Sequence, residues 1–341
     1  MLLSKRIMAI FVAVAILLLC VACNVDQGTE GDAGLSAALG QNTQEVLEEK
    51  ENADTEISIE DTMTPLAVAP AISTYLAPVA SGKVVDKNAK AEIDASNTAD
   101  GYIMIKYTGG GTPKLKVIVT GPSGTAYTYD LRNDAKHDVF PLSDGNGTYK
   151  IGIYQNVSGT KYSTLHTATI KVQLKDEFAP FLRPNQYVNF TDTSKAVKLA
   201  GELTTKSKTE LEKVEAVYEY VIKNFTYDKK LAESVQSGYI PNIDTVLAKK
   251  TGICFDYAAL MTAMLRSQGI PTKLVIGYAG NVYHAWINVY TKDSGWVDEA
   301  IFFDGNKWKI MDPTFASSGN SSSDIAKYIG TASNYTAKYL Y

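Results

Sequence analysis

The chain has 341 residues, 45% of them hydrophobic and 21% charged, with a formal net charge of -4. That is room for two ordinary domains plus appendages, with the composition of a globular protein. The slightly acidic balance argues against a nucleic-acid binder, which needs a basic stripe, while 21 tyrosines against 10 phenylalanines point to many half-buried aromatics on sheets or wet binding surfaces.

At the start, Lys5 and Arg6 precede an apolar run from Ile7 to Leu19, and Cys20-Val21-Ala22-Cys23 follows. The run is short for a bilayer-spanning helix. A charged start, an apolar stretch and a small residue before a cysteine together resemble a bacterial lipoprotein signal. The resemblance implies cleavage after Ala22 and lipidation of Cys23; Leu19-Cys20 fits less well, because leucine is large for the position before the cut. Residues 1–23 are therefore expected to be the signal, and the mature protein to be lipid-anchored on the outer face of the cell membrane, with ordinary secretion as the competing outcome. Of the 3 cysteines, Cys254 alone then remains in the folded portion. A leftover thiol without a disulfide framework is either an inert small apolar residue or a nucleophile.

Residues 24–66 are rich in Glu, Asp, Gly, Gln and Asn and read as a disordered acidic tether. From 67 to 178 the texture is strand and turn. Tyr102–Tyr107, Leu115–Val119, Tyr149–Tyr154 and Ala168–Leu174 alternate at period two, and Gly109-Gly110-Gly111, Gly121-Pro122-Ser123-Gly124, Asp144-Gly145-Asn146-Gly147 and Ser158-Gly159 punctuate them. The spacing predicts an all-β sandwich, and Gly147-Thr148-Tyr149 resembles the tyrosine corner of immunoglobulin-like folds. His137 and His166 have no metal-ligand spacing and read as ordinary strand residues.

Residues 179–341 form the second predicted domain. Ser207-Lys208-Thr209-Glu210 is a candidate capping box before a helix carrying Leu211, Val214, Val217, Tyr218, Val221, Ile222 and Phe225 on one stripe. A second helix starts near Gly252 or Cys254, buries Tyr257, Ala258, Met261, Met264 and Leu265, and ends at Gly269 and Pro271. Asp256 and Arg266 read as its charged termini. Strands are predicted over Lys273–Tyr278, His284–Tyr290 and Lys307–Met311, which makes the domain α+β.

Cys254 at a helix start faces unpaired N–H groups and the positive end of the macrodipole. Both favour thiolate over thiol, and the same N–H groups suit an oxyanion. A thiol enzyme also needs a base and an orienter. His284 is the domain's lone histidine, and strand parity puts it with Trp286 and Asn288 on one face. Trp308, Ile310 and Asp312 share a face of the next predicted strand, whose end could bring a carboxylate to the imidazole.

These residues lie in stretches that resemble a known family. Gly252-Ile253-Cys254-Phe255-Asp256-Tyr257-Ala258, then Leu265-Arg266-Ser267-Gln268-Gly269-Ile270-Pro271, Gly277-Tyr278, His284-Ala285-Trp286 and Met311-Asp312-Pro313-Thr314 follow the order of the transglutaminase-like superfamily. The resemblance covers about residues 190–316, including Tyr218–Asp228. It implies a papain-like core, with the cysteine helix packed on an antiparallel sheet, and assigns Cys254 as nucleophile, His284 as base and Asp312 as its orienter. Trp286 would wall the substrate channel and Tyr278 would donate a hydrogen bond beside it; the competing reading makes both core aromatics. The implied reaction forms a thioester from a peptide or side-chain amide, cell-wall peptide included. Hydrolysis is the favoured outcome and protein-glutamine cross-linking the alternative. A non-catalytic wall-binding or adhesion module is the reading of a different class. No cofactor and no metal is expected, since no ligand cluster or EF-hand pattern is present.

Overall fold

In the computed structural model, residues 74–279, 282–303, 308–310 and 335–341 can be described. The expected signal with Cys23, the expected tether and Asp312 lie outside them. The described residues all belong to one unit, Met63–Tyr341.

Its first half is two four-stranded antiparallel sheets, in the orders β1-β2-β3-β6 and β5-β4-β7-β8. The strands are β1 (Val85–Lys87), β2 (Ala91–Asp94), β3 (Tyr102–Tyr107), β4 (Leu115–Thr120), β5 (Ala126–Leu131), β6 (Asp138–Pro141), β7 (Gly147–Ser158) and β8 (Lys161–Val172). Alternation sets their inner faces: Leu115, Val117 and Val119 are buried, and the residues between them less so. The expected sandwich is present. With β1 set aside, the fourth of seven strands, β5, lies in the second sheet; a constant-type immunoglobulin domain has it in the first. Tyr149 donates to the Gly145 carbonyl at 2.9 Å and accepts the Asp144 N–H at 2.9 Å, the bonding of a tyrosine corner. His137 meets Glu92 at 3.2 Å and His166 meets Asp86 at 3.0 Å, both as pair contacts.

The second half has helices α1 (Lys195–Thr204), α2 (Glu210–Asn224), α3 (Lys229–Ser234), α4 (Ile243–Lys249) and α5 (Cys254–Arg266). The N-cap of α2 is Thr209, whose hydroxyl accepts the Glu212 N–H at 3.1 Å, while Glu212 reaches back to the Lys208 N–H. The capping box thus sits two residues later than Ser207–Glu210 suggested. Thr209 and Glu212 satisfy the same spacing, and the Ser207 N–H is already taken by the Thr204 carbonyl at 3.0 Å.

The sheet of this half runs β14-β13-β12-β11-β15, every neighbour antiparallel. Its strands are β11 (Thr272–Ala279), β12 (Val282–Thr291), β13 (Gly295–Phe303), β14 (Trp308–Ile310) and β15 (Tyr335–Leu340). The three predicted strands appear, and β13 and β15 are additional. β13 escapes an alternation search because its register against β12 shifts between Ile287 and Val289: Val289 faces Val297 and Ile287 faces Ile301. Asp298, Glu299 and Ala300 of β13 stand against Asn288 alone, a surplus of two residues that interrupts the regular pairing.

Helix α5 is the hub. Every residue from Asp256 to Arg266 is buried, and Ala258, Met261 and Leu265 share one core with Leu274, Ile276, Ala285, Ile287 and Val289 of the sheet. That core continues without a break into Val117, Tyr129 and Ile153 of the sandwich. Asp256 and Arg266 are termini of the helix, as expected, but neither is solvated. Arg266 donates to the Thr272 carbonyl from Nε and Nη2 at 2.9 and 2.7 Å, to the Arg183 carbonyl at 2.6 Å and to the Tyr341 main-chain oxygen at 2.6 Å. It joins the helix end to the strand after it, the linker before it and the residue after β15.

Candidate active site

The nucleophile's place is set by a short parallel pair, β9 (Thr226–Tyr227) with β10 (Thr251–Gly252), in which Tyr227 faces Gly252. The Asp228 N–H donates to the Gly252 carbonyl at 2.8 Å. Ile253 then caps α5 in an extended conformation, and Asp256 accepts the Ile253 N–H at 2.8 Å and the Tyr239 hydroxyl at 2.6 Å. Position 252 must be glycine, since a Cβ there would stand 2.7 Å from Cβ of Asp256.

This framing places the Tyr227 hydroxyl against the start of α5, where it donates to the Cys254 sulfur and accepts the Cys254 backbone N–H. The sulfur also accepts the N–H groups of Ala285 and Phe255. Cys254 is half-buried, and its surroundings desolvate the sulfur. Burial pushes the thiol above its ordinary value and outweighs these donors, with the Asp256 charge adding to the rise. The expectation of a resting thiolate from helix-end electrostatics is therefore corrected: desolvation wins.

His284 lies opposite Gly277 in the β11–β12 register, one residue before the Ala285 N–H that bonds the sulfur. Its imidazole is not among the sulfur's hydrogen-bond partners. Burial lowers it to about 4, so it is neutral at physiological pH, and its Nε2 is buried with no hydrogen-bond partner among the described residues. Asp312 lies outside the described residues. The strand leading to it, β14, is separated from β12 by β13, whereas sequence reading passed directly from one to the other.

Trp286 is 2% exposed and clusters with Val275, its ring 5.5 Å from Tyr335. It is a core aromatic here. Its indole stands 2.9 Å from where a Cβ of Gly277 would be, and the Thr336 carbonyl lies closer still, so β11 and β15 can pair only across a glycine. Tyr278 is 39% exposed and packs edge-on against Tyr283, which is 56% exposed, at 5.4 Å. Asn288 is buried.

Sequence reasoning gave no role to Tyr227, which bonds the sulfur, nor to the aromatics packed around Phe255. Tyr227 sat inside the Tyr218–Asp228 stretch, but a non-local parallel pairing leaves no periodic trace linking it to Cys254. Phe255 lies 5.8 Å from Tyr187 and 6.4 Å from Tyr239, ring to ring. Tyr283 is near enough to Cys254 and Tyr339 for their charges to interact. No cluster of His, Cys, Asp or Glu that could hold a metal is found among the described residues.

Residues 197–313 match the model of the Transglutaminase-like superfamily core. The uncharacterized protein YebA of Bacillus subtilis is 28% identical over 149 residues, 37% of this chain and 20% of YebA, so the chain spans about a fifth of that relative's length. Among solved structures, a candidate cysteine protease of Cytophaga hutchinsonii is similar at 20% identity and a TM-score of 0.33, over 60% of this chain and 78% of that one. Red sea bream transglutaminase is similar at 14% identity and a TM-score of 0.25, over 62% and 48%.

Proposed function

With a transglutaminase-like core at residues 197–313 as the premise, we propose that the protein is a thiol enzyme that cleaves peptide or side-chain amides at the cell surface. The observation that supports this most is the convergence of the Tyr227 hydroxyl and the Ala285 and Phe255 N–H groups on one desolvated sulfur. An inert core cysteine has no use for them.

In the proposed reaction the Cys254 sulfur bonds to the amide carbon while its proton passes to the neutral imidazole of His284. The oxyanion takes the Cys254 N–H and the Tyr227 hydroxyl, groups that bond each other in the resting site. Asp312 orients the imidazole and stabilises its charged form, filling the need left by the unpartnered Nε2. The C–N bond then breaks, His284 protonates the leaving amine, and water hydrolyses the thioester to a carboxylic acid and the regenerated thiol. A lysine amine in place of water would make the same site a cross-linker. The lipid anchor at Cys23 is part of this proposal; a fatty-acid label that persists in Cys23→Ala would remove it.

The test is the rate of Cys254 alkylation by iodoacetamide against pH. A thiol held above its ordinary value, acting alone, gives a rate rising about tenfold per pH unit up to its pKa. With His284 as base the rate should instead level off above about pH 4, where His284 loses its proton, and His284→Ala should lose that plateau. A tenfold rise per unit in both proteins would sink the activated-nucleophile reading. Release of amine from a peptide amide, absent in Cys254→Ala, then identifies the turnover; incorporation of a fluorescent amine instead would select transfer over hydrolysis.

A further inference from the structure

The helix that carries the nucleophile begins without an ordinary cap. Its N-cap, Ile253, is extended and has no side-chain oxygen, where Ser, Thr, Asp or Asn would take the N–H of the second or third helical residue. The second helical residue is Phe255, and its N–H bonds the Cys254 sulfur instead. A polar side chain at 253 would compete for that donor. The turn is fixed from its third position: Asp256, 1% exposed, accepts the Ile253 N–H at 2.8 Å. This is half of a capping box, the half that leaves the sulfur's donor free.

A carboxylate buried so deeply needs more than one donor. The second comes from outside the helix. Residues 235–242 join α3 to α4, and Gln236, Ser237, Gly238 and Ile240 of this connection are exposed. Gly238 at φ +89° and the Tyr239 N–H, bonded to the Gln236 carbonyl at 3.2 Å, close a turn. Tyr239 is half-buried: its hydroxyl donates to Asp256 Oδ1 at 2.6 Å, and its ring lies 6.4 Å from that of Phe255. Burial and the bond to Asp256 both hold the phenol above its ordinary value, so it keeps its proton and donates. Three residues on, Asn242 caps α4 by accepting the Thr245 N–H at 2.9 Å, which fixes the far end of the connection. Without the phenol, Asp256 keeps one neutral donor and must take up a proton or turn toward solvent. Either loosens its hold on Ile253 and shifts the first-turn N–H groups.

We propose that Tyr239 is a positioning residue of the thiol site: by holding Asp256 it fixes the first turn of α5, and with it the Cys254 and Phe255 N–H groups. Phe255 N–H serves the sulfur and Cys254 N–H the oxyanion, so a side chain from a surface connection sets the geometry of chemistry that it does not touch. The role deepens the thiol-enzyme reading above and rests on it for its effect on turnover.

The experiment compares full-length wild type with Tyr239→Phe, which keeps the ring on Phe255 and removes the donor. Iodoacetamide alkylation of Cys254 at neutral pH is the first readout and the thermal midpoint the second. The control is Tyr149→Phe, which removes a twice-bonded hydroxyl from the sandwich. Both variants are expected to melt at lower temperature. The alkylation rate should fall about three- to tenfold in Tyr239→Phe, the worth of one misaligned hydrogen bond to the sulfur, and stay within about twofold in Tyr149→Phe. In an Asp256→Ala background, Tyr239→Phe should add less than about twofold, because it acts through that carboxylate. A rate in Tyr239→Phe within about twofold of wild type, or above it, would overturn the role. So would an equal fall in both tyrosine variants, or a full effect that persists without Asp256; should Asp256→Ala not fold, the two tyrosine variants decide. On a peptide amide, kcat of Tyr239→Phe should fall about tenfold with KM unchanged. A wild type that releases no amine removes the amide-cleaving reading, and the alkylation comparison still decides Tyr239. Amine release with kcat unchanged in Tyr239→Phe removes the positioning role and leaves the enzyme.

Discussion

At the residue scale, Tyr227 carries the most chemistry for the least sequence signal. Its hydroxyl bonds both the sulfur and the N–H that an oxyanion would need, so it can pass from holding the resting thiol to holding the intermediate. Removing one such donor elsewhere costs about 10²- to 10³-fold in kcat. Tyr227→Phe keeps the ring and loses the hydroxyl, so kcat should fall by about that factor with KM little changed, read by initial rates on a peptide amide. An equal fall in a Gly252-facing contact alone would show instead as lost thermal stability, and an unchanged kcat would strip Tyr227 of the role. Cys254 and His284 were legible because each is the single residue of its type in residues 179–341, at or near the start of its element. The protonation of the pair was not, since burial, which lifts the thiol and lowers the imidazole to about 4, is a property of the packed core.

At the element scale, the end of α5 depends on Arg266 as much as its start depends on Asp256. A buried guanidinium surrounded by main-chain carbonyls is held well below its ordinary value, to about 9, by burial. Arg266→Met would fill similar volume but strand the carbonyls of Thr272 and Arg183 without that donor and leave the Tyr341 oxygen with the Leu274 N–H alone. Leaving buried polar groups unpaired costs about 1–3 kcal/mol each, and partial relaxation brings the expected total to about 3–5 kcal/mol. The measurement is the urea midpoint at constant m-value; a loss under about 1 kcal/mol would mean that water takes over those bonds. Helix α5 and strands β11 and β12 were readable from periodicity to within a residue or two. β13 was not, because its bulge sets three consecutive residues outside the alternation, and β9 and β10 are too short to have a period at all.

At the scale of the whole molecule, the sandwich and the thiol core share one hydrophobic interior, knit by Tyr127, Tyr129, Tyr187, Tyr339 and Tyr341. Sequence reading separates the halves at residue 178, between the last period-two stretch, which ends at Leu174, and the switch to a helical period from about Asp192. That change marks a switch of local structure, and local structure does not reveal which aromatic faces meet across it. The high tyrosine count was the clue to the seam, although Tyr127, Tyr129 and Tyr341 are buried there rather than half-buried.

The desolvation of the Cys254 sulfur has one more consequence, for the lifetime of the protein. Peroxide and hypohalous oxidants attack thiolates, and susceptibility follows thiolate character and exposure. A site that keeps its sulfur protonated withholds from oxidants the form they consume. Under the proposed surface location, and with no second cysteine among the described residues to rescue it as a disulfide, such a thiol would persist between turnovers.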